Sequence, residues 1–144
     1  MSLKDGSKKM SKSELSDFSR INLTDNKDQI INKIKKAKTD TMPIPKDIKE
    51  LEKRLEAKNL LGIYSSLTNS TLQNSLEIFA SKNFSEFKEK LSDVLVTEID
   101  PISKEIKKLL EDQSFLDKIL LDGVEKANSI ASNKIKRIKE IVGF

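Results

Sequence analysis

The chain has 144 residues, enough for one domain with a sizeable core; 35% of them are charged and only 5% aromatic. It holds no cysteine and no histidine. That excludes disulfides, Cys/His zinc sites and any reaction that needs a histidine base or a His-containing triad. The formal charge of +4 is uneven: residues 1–40 carry ten Lys and Arg against six Asp and Glu, and the rest is balanced. Such a local excess fits one phosphate-bearing partner better than a whole surface coated with nucleic acid.

No run of about 18 apolar residues is present, so no membrane span is expected. Met1-Ser2-Leu3 leads straight into charge without the apolar core of a secretory signal, and the expected compartment is cytoplasmic.

In chain order, Lys4-Asp5-Gly6-Ser7-Lys8-Lys9 runs into Met10-Ser11-Lys12-Ser13. Lysine ammoniums are flexible point charges with three donors each. Gly6 allows a tight turn, and serine hydroxyls with backbone N–H groups can cap phosphate oxygens. The stretch is too polar for a buried strand or core helix and reads as an exposed anion-binding loop. A basic tail at a chain end is the plain alternative.

Glu14 to Ser19 reads as the far side of that loop, and Arg20 to Leu23 as a short extended piece. Thr24 or Asp25 is the expected N-cap of a helix reaching about Lys38. Asp28 in its first turn and Lys35, Lys36 and Lys38 in its last suit the helix dipole. Ile30, Ile31, Ile34 and Ala37 form one apolar stripe. The lysines are either a solvated face or an RNA contact. Met42-Pro43-Ile44-Pro45 cannot continue the helix, which makes it the expected domain boundary.

From Lys46 onward the chain reads as helices joined by polar turns. Leu51, Leu55, Leu60, Leu61, Ile63, Tyr64 and Leu67 line one or two of them, and a start near Asp47 is allowed. Thr71 caps a short helix that turns Leu72, Leu76, Phe79 and Ala80 inward. Ser85 is the expected N-cap of a long helix, with Phe84 stapling its first turns. The spacing of Phe87, Leu91, Val94, Leu95, Ile99, Ile102, Ile106, Leu109 and Leu110 carries that helix past Pro101 with a kink. A last helix from about Ser114 carries Leu116, Ile119, Leu120, Val124, Ala127, Ile130, Ala131, Ile135, Ile138 and Val142. It would be about 40 Å long. These stripes are read as core, so the expected fold is mostly α: an antiparallel helical bundle preceded by an extended loop. Lys134, Lys136, Arg137 and Lys139 form a basic face near the end, open to solvent or to the phosphates of a nucleic acid.

Lys9-Met10-Ser11-Lys12-Ser13 is similar to the signature loop of class I aminoacyl-tRNA synthetases. Ser19-Arg20-Ile21-Asn22-Leu23-Thr24-Asp25, then Ile30, Lys33-Ile34, Ala37 and Thr39-Asp40, resembles the segment after that loop in tryptophanyl-tRNA synthetases. Asn59-Leu60-Leu61-Gly62-Ile63-Tyr64 and Phe87 through Ile102 also resemble that family, so the likeness spans nearly the whole chain. Two departures stand out: Glu14-Leu15 replaces the commoner Asp-Pro, and Arg54 precedes Leu55 where proline is frequent.

The resemblance implies ATP-dependent activation of tryptophan to tryptophanyl-adenylate and transfer to tRNA(Trp). Lys9 and Lys12 would be the catalytic lysines, meeting charge on the leaving pyrophosphate. Met10, Ser11 and Ser13 would shape the ATP-binding loop and support the adenine side. ATP is then the substrate, Mg2+ arrives with it in the full-length enzyme, and the protein itself supplies no metal site. Residues 1–42 would close the catalytic domain, and residues 43–144 would form the helical tRNA- and anticodon-binding domain. Met1 to Gly6 resembles the interior of a longer family member, so the chain is expected to be its C-terminal part. Tryptophan would bind through the absent N-terminal half. The full-length parent is expected to be a homodimer through that half, with this chain alone an inactive monomer. A stand-alone helical tRNA-binding or protein-interaction module is the alternative.

Overall fold

The computed structural model describes residues 1–143. Among these, six α-helices and one 3-10 turn account for the regular structure, and no strand is present. The helices are α1 (Lys27–Lys36), α2 (Ile48–Lys53), α3 (Leu55–Leu67), α4 (Leu72–Phe79), α5 (Phe84–Glu111) and α6 (Gln113–Val142). The chain divides into two compact units, Met1–Lys104 and Glu105–Phe144.

The first unit holds the core. Asn26 caps α1 with a complete capping box: Gln29 N–H donates to its Oδ1 at 2.9 Å, and its own N–H donates to Gln29 Oε1 at 2.8 Å. The expected caps, Thr24 and Asp25, are one or two residues early, because the Asp25 carboxylate is taken up by Lys33 and by the Asn22 N–H. Ile30, Ile34 and Ala37 face inward as expected, and Ile31 is half-buried. The helix ends at Lys36, before the lysine expected to close it.

Asp47 caps α2, and Thr71 caps α4, each accepting from the backbone N–H three residues on. Arg54 is the single residue between α2 and α3. Its guanidinium forks onto Asp40 at 2.9 and 2.5 Å and also donates to the carbonyls of Pro43 and Met42 at 2.6 and 3.0 Å. That fixes the proline-bracketed segment to the helices. Ile44 between the prolines is buried, its N–H donating to Lys82 O and its carbonyl accepting from Ser81 N–H.

Leu51, Ala57, Leu60, Leu61, Leu76, Phe79, Phe87, Leu91 and Leu95 complete the core together with Leu3 from the N-terminus. Tyr64, Phe79 and Phe87 meet edge to face, with centroids 4.8 to 6.1 Å apart. Each such pair contributes about 1 kcal/mol beyond its buried area. α5 begins at Phe84, earlier than the expected cap at Ser85, and Phe87 N–H bonds back to Asn83 O. Phe84 is therefore buried in the first turn and does not act as a staple ahead of the cap. Pro101 does not end the helix.

The second unit departs from the reading of every stripe as core. Asp112 caps α6 by accepting from Phe115 N–H at 3.0 Å, and Gly143 closes it in the left-handed conformation at φ 84°. Yet α6 contains no buried residue. Ile119, Leu120, Val124, Ile130, Ile135 and Ile138 are all more than half exposed. Periodicity records which face a helix would bury; it does not supply the opposing surface.

Candidate functional site: a basic loop and its brace

The first six residues are tied down. Leu3 is buried, its N–H donating to Ser19 O at 2.9 Å and its carbonyl accepting from Lys38 N–H at 2.8 Å. Asn59 Nδ2 on α3 donates to the carbonyls of Met1 and Ser2. Gly6 packs on the start of α3: a Cβ there would lie 2.6 Å from Leu55 C and 2.7 Å from Glu56 N. Gly6 sits in the turn the sequence suggests, closed by Lys8 N–H donating to Asp5 O at 3.1 Å; its φ is not positive, so what requires glycine there is the close approach of two backbones. Leu3 and Gly6 are thus inside, and the exposed loop is shorter than the polar stretch.

That loop spans residues 7–15. Lys9, Ser11, Lys12 and Ser13 are exposed and Met10 is half-buried. Ser11 and Ser13 hydroxyls lie 3.0 Å apart, and Ser13 N–H donates to Ser11 Oγ at 3.3 Å. A cleft of about 260 Å³ opens beside them, lined by Ser2, Lys4, Asp5, Lys8, Lys9, Ser11, Glu14 and Ser19. Three of its lining residues are lysines, and two of these, Lys4 and Lys8, precede the five-residue signature. Lys8 pairs with Asp5 at 3.5 Å. The Ser7 hydroxyl and N–H, both donating to Asp5, hold its carboxyl below the usual range. Lys9 lines the cleft; Lys12 sits at the turn outside it and makes no ion pair among the described residues. Five signature positions therefore do not all converge on one cavity.

The loop is braced from behind. Arg20 Nη1 donates to Glu14 O at 2.9 Å and to Ser11 O at 3.4 Å. Its Nε donates to Asn22 Oδ1 at 3.2 Å, and its Nη2 pairs with Asp17 at 3.4 Å. Asp17 in turn meets Lys33 Nζ at 2.6 Å. Lys33 belongs to α1 and is only 3% exposed, and it also reaches Asp25 at 2.6 Å. The Lys33 ammonium, and then the Asn22 amide, hold the Asp17 carboxyl below the usual range. Sequence reading places Arg20 in an extended piece and assigns it no role. The available signal was Lys33, a lysine falling on the same face as Ile30, Ile34 and Ala37.

A larger cleft of about 720 Å³ lies between residues 39–42, α1 and the start of α5, and includes none of residues 9–13. Lys88 lines it and donates to the carbonyls of Lys35 and Ala37 at 3.2 and 2.6 Å. Burial pushes its ammonium pKa down. Lys38 pairs with Glu56 at 2.8 Å. The basic residues of α6 are exposed. No group of three or more His, Cys, Asp or Glu among the described residues is arranged to hold a metal ion.

Among the described residues, then, an all-helical frame carries a lysine-rich loop. The family model for tRNA synthetases class I (W and Y) matches residues 1–100, and the chain belongs to that family. Within it, the chain is similar to tryptophan–tRNA ligases: it is 45% identical over all 144 residues to that of Brucella melitensis biotype 1 and covers 41% of that protein. It is 46% identical over 144 residues to the tryptophan–tRNA ligase of Rickettsia felis, covering 43% of it. The crystal structure of tryptophanyl-tRNA synthetase from Mycoplasma pneumoniae matches the whole chain with a TM-score of 0.72 at 25% identity, over 43% of that chain. The chain thus spans about two fifths of the length of the curated relatives it matches. No helix among the described residues is long and apolar enough to cross a membrane.

Proposed function

We propose that this chain is the loop-bearing and helical part of a cytoplasmic tryptophan–tRNA ligase. The whole enzyme joins tryptophan to ATP, giving tryptophanyl-adenylate and pyrophosphate, and then passes tryptophan to tRNA(Trp). The observation that carries the reading is Lys9-Met10-Ser11-Lys12-Ser13 on an exposed loop beside a lysine-lined cleft, in a chain 45% identical throughout to such ligases.

In this reading a tryptophan carboxylate oxygen attacks the α-phosphorus of ATP, and the bond to the pyrophosphate oxygen breaks. Negative charge grows on the leaving group. Lys9 and Lys12 meet that charge, more strongly in the transition state than in bound ATP, and no covalent enzyme intermediate is needed. Met10, Ser11 and Ser13 shape the loop around the nucleotide. The loop closes over ATP as a mobile step, which suits a segment whose Leu15 is fully exposed. Mg2+ would come with the ATP phosphates as part of the substrate, and no residue of this chain is assigned to it. Residues 1–42 belong functionally to the activation site, and residues 43–144 serve tRNA.

The same whole-chain likeness favours this reading over a stand-alone helical module. The test is tryptophan-dependent exchange of pyrophosphate into ATP by the longer ligase that contains this segment, with tyrosine alongside. Exchange with tryptophan alone supports the reading, and exchange with tyrosine alone overturns it. The 144-residue chain by itself is expected to show none.

A further inference from the structure

We propose that Arg20 is a positioning residue for the loop that carries Lys9 and Lys12, and that Asp17 and Lys33 form the brace that holds it. The inference rests on the phosphate-binding reading of that loop. Arg20 draws in the carbonyls of Ser11 and Glu14, at 3.4 and 2.9 Å. These two carbonyls bracket Lys12 and Ser13. Gathering both onto one nitrogen turns the backbone oxygens inward, and Lys12 is left exposed at the apex of the turn.

The loop has little else to hold its shape. Leu15 is fully exposed and Met10 only half-buried, so apolar anchorage is weak. The guanidinium itself is oriented from three sides, by Asn22 on Nε, Asp17 on Nη2 and the carbonyls on Nη1. Arginine suits this because its planar fork stays charged and presents donors in fixed directions. Behind it, Asp17 is held at 2.6 Å by Lys33, a buried residue on a capped helix. A chain of charged contacts therefore runs from the core of α1 to the backbone around Lys12. Its function would be to hold the two lysines ready, so that closing over a polyphosphate costs little reorganisation.

Two measurements test this. On the 144-residue chain, trypsin cleavage after Lys12 is followed by mass spectrometry for the parent and for Arg20→Ala. Loss of the two carbonyl contacts should speed that cut about five- to tenfold, with the thermal midpoint unchanged. Asp17→Asn, which keeps the side-chain shape, should speed it in the same direction. In the longer ligase, Arg20→Ala should lower kcat of tryptophan-dependent pyrophosphate exchange about tenfold and leave KM for tryptophan unchanged. Millimolar guanidinium ion should restore part of that rate, which a merely structural defect would not allow.

Unchanged cleavage in Arg20→Ala and Asp17→Asn overturns the brace. Faster cleavage with unchanged exchange overturns the positioning role. Lys12→Ala run in parallel separates the two layers: if it exchanges normally while Arg20→Ala is cut faster, the brace stands and the phosphate-binding reading falls.

Discussion

Lys33 Nζ lies 2.6 Å from Asp25 Oδ2, with both side chains about 95% shielded from water. A buried pair of this kind is weak support for net stability, but it is costly to break from one side. Lys33→Met should therefore destabilise the chain by about 3 kcal/mol, because it strands the Asp25 carboxylate. Lys33→Met with Asp25→Asn should recover a good part of that loss. Urea unfolding of the two single variants and the double variant checks this, and additive losses would contradict it.

Gly6 offers a second site where one atom decides the outcome. A methyl group there meets the backbone of Leu55 and Glu56 below 3 Å, and backbone cannot swing aside as a side chain can. Gly6→Ala should cost about 1–3 kcal/mol, although the φ itself would accept alanine. A midpoint equal to the parent's in urea would show that α3 shifts freely.

Acid should weaken the first unit through Asp40, Glu56 and Asp17. Burial alone would raise the Asp40 carboxyl, but the Arg54 guanidinium and the Met42 N–H outweigh it, and the net direction is down from 3.8. Lys38 lowers Glu56 from 4.5, and Lys33 lowers Asp17 from 3.8. Folded values below unfolded ones mean that the unfolded chain takes up protons first. The stability these groups contribute is present above their ordinary values and is lost as pH falls through the folded ones. The thermal midpoint should stay flat from neutral pH down to about 5 and then decline. Asp40→Asn should show a shallower decline; a curve parallel to the parent's would contradict the assignment.

Burial separates the core helices from α6 sharply. Leu61 is 0% exposed, and Leu61→Ala should cost about 2–5 kcal/mol. Ile135 is 53% exposed on an apolar stripe of its own, and Ile135→Gln should change stability by less than about 0.5 kcal/mol. Denaturation of both variants in the 144-residue chain decides the point. A large loss for Ile135→Gln would mean that α6 is covered in solution.

Local chemistry makes much of the fold legible. Asp47 and Thr71 cap where short polar side chains precede apolar periodicity, whereas α1 ends at Lys36, seven residues before Pro43, so the proline pair is not what stops it. Caps slip by a residue or two where a competing partner claims the side chain, as Lys33 claims Asp25. Sequence alone also offers no means of telling a buried stripe from an exposed one, so α6 reads as core although its apolar residues are exposed. The loop residues Lys9 to Ser13 stand out because their order is specific. Arg20 and Asp17 do not, since their role depends on a contact with Lys33 made 16 residues beyond Asp17, and a fold is needed to bring such groups together.

The central claim is that the lysines of this loop act on the phosphates of ATP. The most direct measurement is pyrophosphate exchange by the longer ligase carrying Lys12→Ala, with thermal stability recorded on the same sample. The account predicts a loss of about 10²-fold or more with the midpoint unchanged. A stable variant that exchanges at the parent's rate would contradict it.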